Sequence, residues 1–524
     1  MTQRRTGARS ISRRTLLRGG LGAAGLLALQ CVPGLSGIAS AAVSTGPGTA
    51  VSSYLFPVAD GVDIKALLTV KDKKADNGYA MVGIPDGLGI IPGTDKFTLL
   101  MNHELGDTVG VARSHGSKGA FVSKWTIDKT TLKVLEGSDL TTSANTVYNW
   151  NLATRTYTTG TTTWNRFCSA DLADAAAYLN GTKGTSARMF MNGEEATGGR
   201  AWAHIVTGPT AGQSWELPRF GRSAWENLLA SPFSKDKTIV IGLDDGSVNT
   251  APVAENYPCE VFVYIGTKQD AGTDIERAGL TNGKLYSIRL PLGGGKFITE
   301  EKDNFAFGDT AYVPSARFEL VELGSGGDVS TMSALEIEQD CIAKNALRMQ
   351  RIEDGCWDPR AAKKNDFYFA TTASPTQNSR LWRLSFDDLD APEKGGTLTA
   401  LLKGDEGQFM LDNLTIDSLG RIILQEDPGN QARIAKVWLY GIDSKKFIEI
   451  ARHDRGYFDP IFTGQKFFQT QDEESSGVVD ASSVLGAGWF LLAVQSHRVI
   501  TSTDPDLVEE GQLLAMFVPP TVGV

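Results

Sequence analysis

The pattern that most restricts this chain is a short β-rich run that closes on a small polar or acidic cluster, and it recurs six times. Phe97 to Met101 runs into Asn102-His103-Glu104, Ala187 to Met191 into Asn192-Gly193-Glu194-Glu195, and Thr238 to Gly242 into Asp244-Asp245-Gly246. Asp366 to Ala370 runs into Thr371-Thr372, Arg421 to Leu424 into Gln425-Glu426-Asp427, and Trp489 to Val494 into Gln495-Ser496-His497. Most are followed by a second run with period-2 alternation, such as Val122 to Asp128, Glu260 to Ile265, Arg380 to Phe386 and Lys436 to Tyr440. Alternation of this kind is how strands are written. The shorter intervals between acidic ends approach the ~40–50 residues of a propeller blade. The 57 glycines in 524 residues fit many short elements joined by tight turns.

The expected fold is therefore all-β, a six-bladed β-propeller with inserted loops and short helices, the insertions near 130–185 and 268–345. In such a fold, equivalent strand ends converge from distant sequence on one mouth of the central channel. Aspartate commonly punctuates turns, but glutamate does not. The pairs Glu194-Glu195, Asp244-Asp245 and Glu426-Asp427 then read as two carboxylates at a strand end, one facing the channel and the other supporting it. Crowded carboxylates raise one another's pKa, and bound cations relieve that repulsion.

Residues 1–41 hold six arginines and no acid, a Gly- and Leu-rich stretch from Gly19 to Leu35, and the small-residue site Ala39-Ser40-Ala41. This reads as an export signal. Ser12-Arg13-Arg14-Thr15-Leu16-Leu17-Arg18 matches the twin-arginine type, which implies the twin-arginine export machinery as a partner and a periplasmic or extracellular location. Gln30 before Cys31 speaks against a lipid anchor. The remainder, 42–524, is expected to be a single propeller domain.

The formal net charge of −10 becomes more acidic once those arginines are removed, a poor match for nucleic acid or an anionic membrane. No later segment offers the run of apolar residues a membrane span needs, and a soluble monomer without a stable membrane anchor is expected. Beyond residue 41 there are four cysteines, Cys168, Cys259, Cys341 and Cys356, too few for a disulfide scaffold. Cys341 and Cys356 could pair in an oxidising compartment, and sequence alone leaves this open.

Several common chemistries fail on inspection. His103-Glu104 lacks the second histidine of a zinc protease, there is no G-x-S-x-G elbow, and Gly293-Gly294-Gly295-Lys296 lacks the spacing and hydroxyl of a phosphate loop. With five histidines in all, the ligand inventory is oxygen plus at most one thiolate. Arg351-Ile352-Glu353 sets a guanidinium two residues from a carboxylate, either a surface ion pair or an anion clamp beside a metal ligand.

Taken together, the twin-arginine signal, Asn102-His103-Glu104, Cys168 followed at a distance by Gly193-Glu194-Glu195, Arg351 through Gly355 and Gln425-Glu426-Asp427-Pro428 resemble the PhoX-type alkaline phosphatases. Leu217 to Arg222 and Glu474 to Asp480 strengthen the resemblance and suggest a divergent branch. It implies a propeller whose channel mouth holds ferric iron and calcium and hydrolyses phosphate esters. By motif position, Cys168 and Glu226 would ligate iron, Glu194, Glu195, Glu353 and Asp427 would hold iron or calcium, and Glu104 and Asp245 would be further ligands. Asn102 and Arg351 would orient phosphate. The chain departs from the family at Trp225 (often His), Ile352 (often Pro), Asp244-Asp245 (a Glu-Asp pair) and the Ser169-Ala170-Asp171 flank of Cys168.

Two other readings compete. One is a related hydrolase with another preference: a phosphodiesterase, or a phytase-like or lactonase calcium propeller. The other is a non-catalytic calcium-binding propeller that displays a binding face.

Overall fold

The computed structural model describes residues 42–246, 259–301, 315–500 and 504–524; the expected export signal at 1–41 lies outside them. Five mainly antiparallel sheet systems supply six blades around one axis. Blade 1 runs Pro85–Pro92, Lys96–His103, Phe121–Asp128, Val134–Asp139. Blade 3 runs Trp225–Ala230, Lys237–Asp244, Val261–Thr267, Lys284–Gly293. Blade 4 runs Ile352–Trp357, Asp366–Thr371, Arg380–Phe386, Gly396–Leu402. Blade 5 runs Leu411–Ile416, Arg421–Glu426, Lys436–Gly441, Phe447–His453. Blade 6 takes Glu473–Asp480, Trp489–Val499 and Glu509–Phe517 from the C-terminal part and its outer strand, Asp63–Thr69, from the N-terminal part.

Blade 2 is irregular. Met189–Gly193, Gly199–Ile205 and Ser214–Glu216 form its sheet, extended at the edge by the hairpin Val147–Asn151 and Thr156–Thr159. Its innermost place is held by an irregular segment, joined by the bridges Phe167 to Glu194 and Asp171 to Met191.

Each blade packs against two neighbours, so the second strands are apolar on both faces and read as near-continuous hydrophobic runs. Leu99 faces the core shared with blade 6 while Leu100 faces that shared with blade 2. Ile239 and Ile241 face blade 4, and Val240 faces blade 2. The same arrangement repeats between blades 4 and 5 through Tyr368, Leu424 and Trp438, and between blades 5 and 6 through Ile423, Leu439 and Phe490.

The stretch 268–345 contains more than loops. It includes the outer strand of blade 3, the strand Ser315–Glu322, and the helix Ala334–Ala343 capped by Ser333 and Glu336. Ser315–Glu322 pairs with the outer strands of both blade 3 and blade 4 and joins them into one ten-stranded sheet. Cys168, Cys259, Cys341 and Cys356 are all free thiols, so Cys341 and Cys356 are not bridged. No helix among the described residues is long and apolar enough to cross a membrane.

Candidate metal centre at the channel mouth

The acidic ends singled out in the sequence belong to the second strands of the blades. The innermost strands begin at the same mouth, and each opens with a potential ligand: Asp86, Cys168, Glu226, Glu353, Asp412 and Glu474. The register is the same in all six blades. The residue before the inner ligand pairs with a residue near the second strand's end: Pro85 with His103, Phe167 with Glu194, Trp225 with Asp244, Ile352 with Thr371, Leu411 with Glu426, Glu473 with Ser496. The next residue on the second strand, Glu104, Glu195, Asp245, Thr372, Asp427 or His497, donates its backbone N–H to the carbonyl two residues ahead of the inner ligand, at 2.9 to 3.1 Å. Two concentric rings of side chains result.

Backbone irregularity aims the inner ring. In blades 1, 3, 4 and 5 the pairing slips across the ligand, between Pro85 and Leu88, Trp225 and Asn227, Ile352 and Gly355, and Leu411 and Leu414. In blade 6 the slip follows Glu474, between Ser475 and Val478. Bulges re-aim side chains and are common beside functional sites. The residue two ahead of the inner ligand is left-handed in four blades: Ile84 (φ 52°), Arg166 (48°), Arg351 (58°) and Met410 (42°). A non-glycine residue in this region stores strain. Adjacent inner strands approach too closely for side chains at two points. A Cβ on Gly87 would lie 2.4 Å from Ala170 N, and one on Gly477 would lie 2.5 Å from Asp86 O.

Four groups of potential ligand atoms result, each with its atoms within 4.8 Å of one another: Asp86, Glu104 and Cys168; Cys168, Glu195 and Glu226; Glu226, Glu353 and Asp412; Asp412, Asp427 and Glu474. Cys168, Glu226 and Asp412 are each shared by two groups, so the four make one row. Neutral donors tie the row together. Ser169 Oγ donates to Glu226 Oε1 at 2.5 Å, and Asn413 Nδ2 donates to Ser169 Oγ at 2.7 Å. Gln495 Nε2 donates to Asp86 Oδ2 and Glu104 Oε2, both at 3.0 Å. The Cys168 thiol lies 3.3 Å from Asp86 Oδ2.

Burial pushes the carboxyls of Asp86, Glu195, Glu226, Glu353 and Asp412 above their usual range, and neighbouring acids push most of them further. For Asp427, burial and then the Glu474 charge raise the value to about 7. Burial, then Asp86 and Glu226, raise the Cys168 thiol. Glu226 Oε2 and Asp412 Oδ1 are buried with no hydrogen-bond donor. Buried polar atoms are ordinarily partnered, and oxygens left bare at shared positions suit hard cations. The donor set, carboxylates throughout and one sulfur, fits calcium-type ions in the oxygen-only groups and a transition metal beside the thiol.

The row thus brings together Glu104, Cys168, Glu195, Glu226, Glu353 and Asp427 of the residues expected from sequence. Three others sit differently. Glu194 turns away from the mouth because successive side chains of a strand alternate: both its oxygens take bonds from Arg200, at 2.6 and 2.7 Å. Asp245 is on the second ring but is held bidentately by Arg351, at 2.9 and 2.7 Å, and joins none of the four groups. Asn102 is fully buried below the rim. Its amide donates to the carbonyls of Cys168 (2.7 Å) and Ser169 (3.2 Å), and its oxygen accepts from Asn192 (2.9 Å), so it positions the cysteine segment instead of facing a ligand.

Asp86, Asp412 and Glu474 are candidate ligands that the sequence reading did not single out. Their signal is an acid followed by bulge-forming residues ahead of an apolar run: Asp86-Gly87-Leu88, Asp412-Asn413-Leu414, Glu474-Ser475-Ser476-Gly477. Arg351 does stand at the rim, 27% exposed and also 3.1 Å from Glu353. His497 bridges Glu474 (3.5 Å) and Glu509 (2.9 Å), and these two carboxylates raise its pKa to about 11 against the opposing effect of burial.

No family model matches the chain, and no curated protein matches it in sequence. Its fold is similar to that of Pseudomonas fluorescens PhoX solved in complex with vanadate, a transition state analogue: TM-score 0.58 and 12% identity over 90% of this chain and 97% of that one. A PQQ-bound aldose sugar dehydrogenase from Streptomyces coelicolor (TM-score 0.32, 12% identity, 88% and 99% covered) and a luciferin-regenerating enzyme (0.32, 11%, 84% and 92%) overlap too loosely to inform the site. The likeness to PhoX is one of fold.

Proposed function

We propose that this protein is an exported metal-dependent hydrolase of phosphate esters, working at the channel mouth with ferric iron and calcium. The observation that carries the reading is the row of four overlapping ligand groups with Arg351 at its edge, on a fold shared with a protein that accommodates vanadate. Asp86, Glu104, Cys168, Glu195 and Glu226 would hold iron around the one sulfur, and Glu226, Glu353, Asp412, Asp427 and Glu474 would hold calcium. When bound, such cations supply Lewis-acid neutralisation of phosphoryl oxygens.

The chain's own residues do the rest. Without counter-charge, the carboxylate row repels an anionic ester, so substrate binding depends on prior loading of the row. Arg351 stands at the rim with Nε and Nη2 on Asp245, and by exchanging these bonds its planar fork would suit two oxygens of one phosphoryl group. Asn102, through the Cys168 and Ser169 carbonyls, and Ser169, through Glu226, hold the inner ring in place. Since phosphoryl transfer depends mainly on positioning and charge neutralisation, no serine nucleophile is required.

The test is elemental analysis of the exported protein, purified without chelator, beside turnover of p-nitrophenyl phosphate. Iron and calcium together with chelator-sensitive turnover, highest above neutral pH, are expected. Calcium alone without turnover would overturn the reading and favour a calcium-binding propeller.

A further inference from the structure

Arg166 and Arg351 occupy one and the same position in blades 2 and 4. Each stands two residues ahead of an inner-ring ligand, Cys168 and Glu353 respectively. Each has a left-handed backbone, at φ 48° and 58°, and each gives its carbonyl to the second-ring N–H, of Glu195 and Thr372. Both side chains bridge two carboxylates, one of them on the second ring of the preceding blade. Arg351 spans Asp245 and Glu353, and Arg166 Nη2 spans Glu104 Oε1 at 2.8 Å and Glu195 Oε2 at 2.7 Å. Both flank blade 3 from its two neighbours.

The carboxylates that hold Arg166 lie on either side of the thiol. Glu104 belongs to the group with Asp86 and Cys168, and Glu195 to the group with Cys168 and Glu226. The guanidinium therefore stands at the rim over the two groups that contain sulfur, and its side chain is 47% exposed although both partners are only 10% exposed. A cation in either group competes for these carboxylates and releases N–H donors toward the opening. Asn102, the group expected to orient phosphate together with Arg351, has its amide committed to backbone carbonyls below the rim.

We infer that Arg166 is a second phosphate-binding arginine, forming with Arg351 a two-armed clamp that favours dianionic monoesters over monoanionic diesters. The inference rests on the phosphate-ester reading above. Two forks on one group offer more donors than a diester, with two oxygens esterified, can use.

The test compares wild type, Arg166→Gln, Arg166→Lys and Arg351→Gln, each with its cation content measured. Inorganic phosphate affinity is measured by calorimetry, and turnover with p-nitrophenyl phosphate and bis(p-nitrophenyl) phosphate. Arg166→Gln is expected to weaken phosphate binding and raise the monoester KM by about 10- to 100-fold, with smaller change for the diester and unchanged cation content. Arg166→Lys should restore part of the phosphate affinity by charge but not the mono- over diester preference. Unchanged phosphate affinity in Arg166→Gln, or loss of cations in both Arg166 variants, would overturn the inference and leave Arg166 as a brace for Glu104 and Glu195. A cation-loaded wild type that neither binds phosphate nor cleaves either ester overturns the phosphate-ester reading itself, whatever the variants do.

Discussion

The two ends of the central channel are built from the same six inner segments, yet they treat buried charge in opposite ways. At the mouth, Glu226 Oε2 and Asp412 Oδ1 have no donor, and acids crowd within 4.8 Å of one another. At the far end a cavity of about 270 Å³ is lined by residues from all six blades, including Asp171 and Asp354. There the carboxylates are satisfied. Asp354 accepts from Asn227 Nδ2 (2.6 Å), Gly355 N (2.7 Å) and Leu414 N (3.2 Å), and Asp171 accepts from Ala230 N (3.0 Å). Acids that brace the fold are supplied with donors, and acids left bare await a ligand.

Substitution separates the two ends most sharply. Asp412→Ala removes a ligand shared by two groups and is expected to lower turnover by at least ~100-fold with loss of bound cations. Asp354→Asn, on the next blade but facing the far end, is expected to keep its cations and cost about 1 kcal/mol of stability. Elemental analysis and thermal melting of the two variants side by side would show whether that division is real. Equal loss of cations in both would erase it.

A smaller effect sharpens the distinction between Glu194 and Glu195. Arg200→Gln leaves Glu194 buried without its partner and is expected to cost about 2 kcal/mol, with the cation content untouched. Cation loss in this variant would return Glu194 to the ligand set. Gly477→Ala presses a methyl onto the Asp86 carbonyl and should cost about 1–2 kcal/mol while loosening cation binding. Melting with and without chelator checks it, and a variant as stable as wild type in both would show that the inner strands are not in close contact.

The smallest effect concerns pH. Burial raises both Asp171 and Asp354 to about 7, well above the usual carboxylate range. The native state then binds protons more tightly than the unfolded chain, so their contribution to stability is greatest at low pH and declines as pH rises from about 4 through about 7. Cation-free protein should lose about 1–3 °C in Tm between pH 5 and 8 from each group, and Asp171→Asn should flatten part of that slope. A Tm that rises across this window in chelator would contradict the assignment.

Much of the second ring was legible in the sequence, because Glu104, Glu195, Asp245, Asp427 and His497 close long apolar runs that are buried on both faces and therefore easily seen. The inner ring was hidden by its own construction. Asp86, Asp412 and Glu474 stand at the start of strands beside bulges, where the period-2 pattern breaks. Blade 2 concealed most, since its innermost segment, carrying Cys168, is joined by isolated bridges and offers no strand pattern at all. Choosing between Glu194 and Glu195 required the position of Arg200, which only the folded sheet supplies. Asn102 lay in the right motif but one level too deep.

The outer strand of blade 6, Asp63–Thr69, comes from the opposite end of the chain to its other three strands. This has a consequence for assembly order. During synthesis the first five blades can each form as they emerge, but Glu474 and the closing strands arrive last, and only their pairing with Asp63–Thr69 shuts the circle. Until then Asp86 and Glu474 belong to unjoined edges, and the row of candidate ligands lacks its last member. Under the proposed function, the fourth ligand group, with Asp412, Asp427 and Glu474, is therefore the last to be completed.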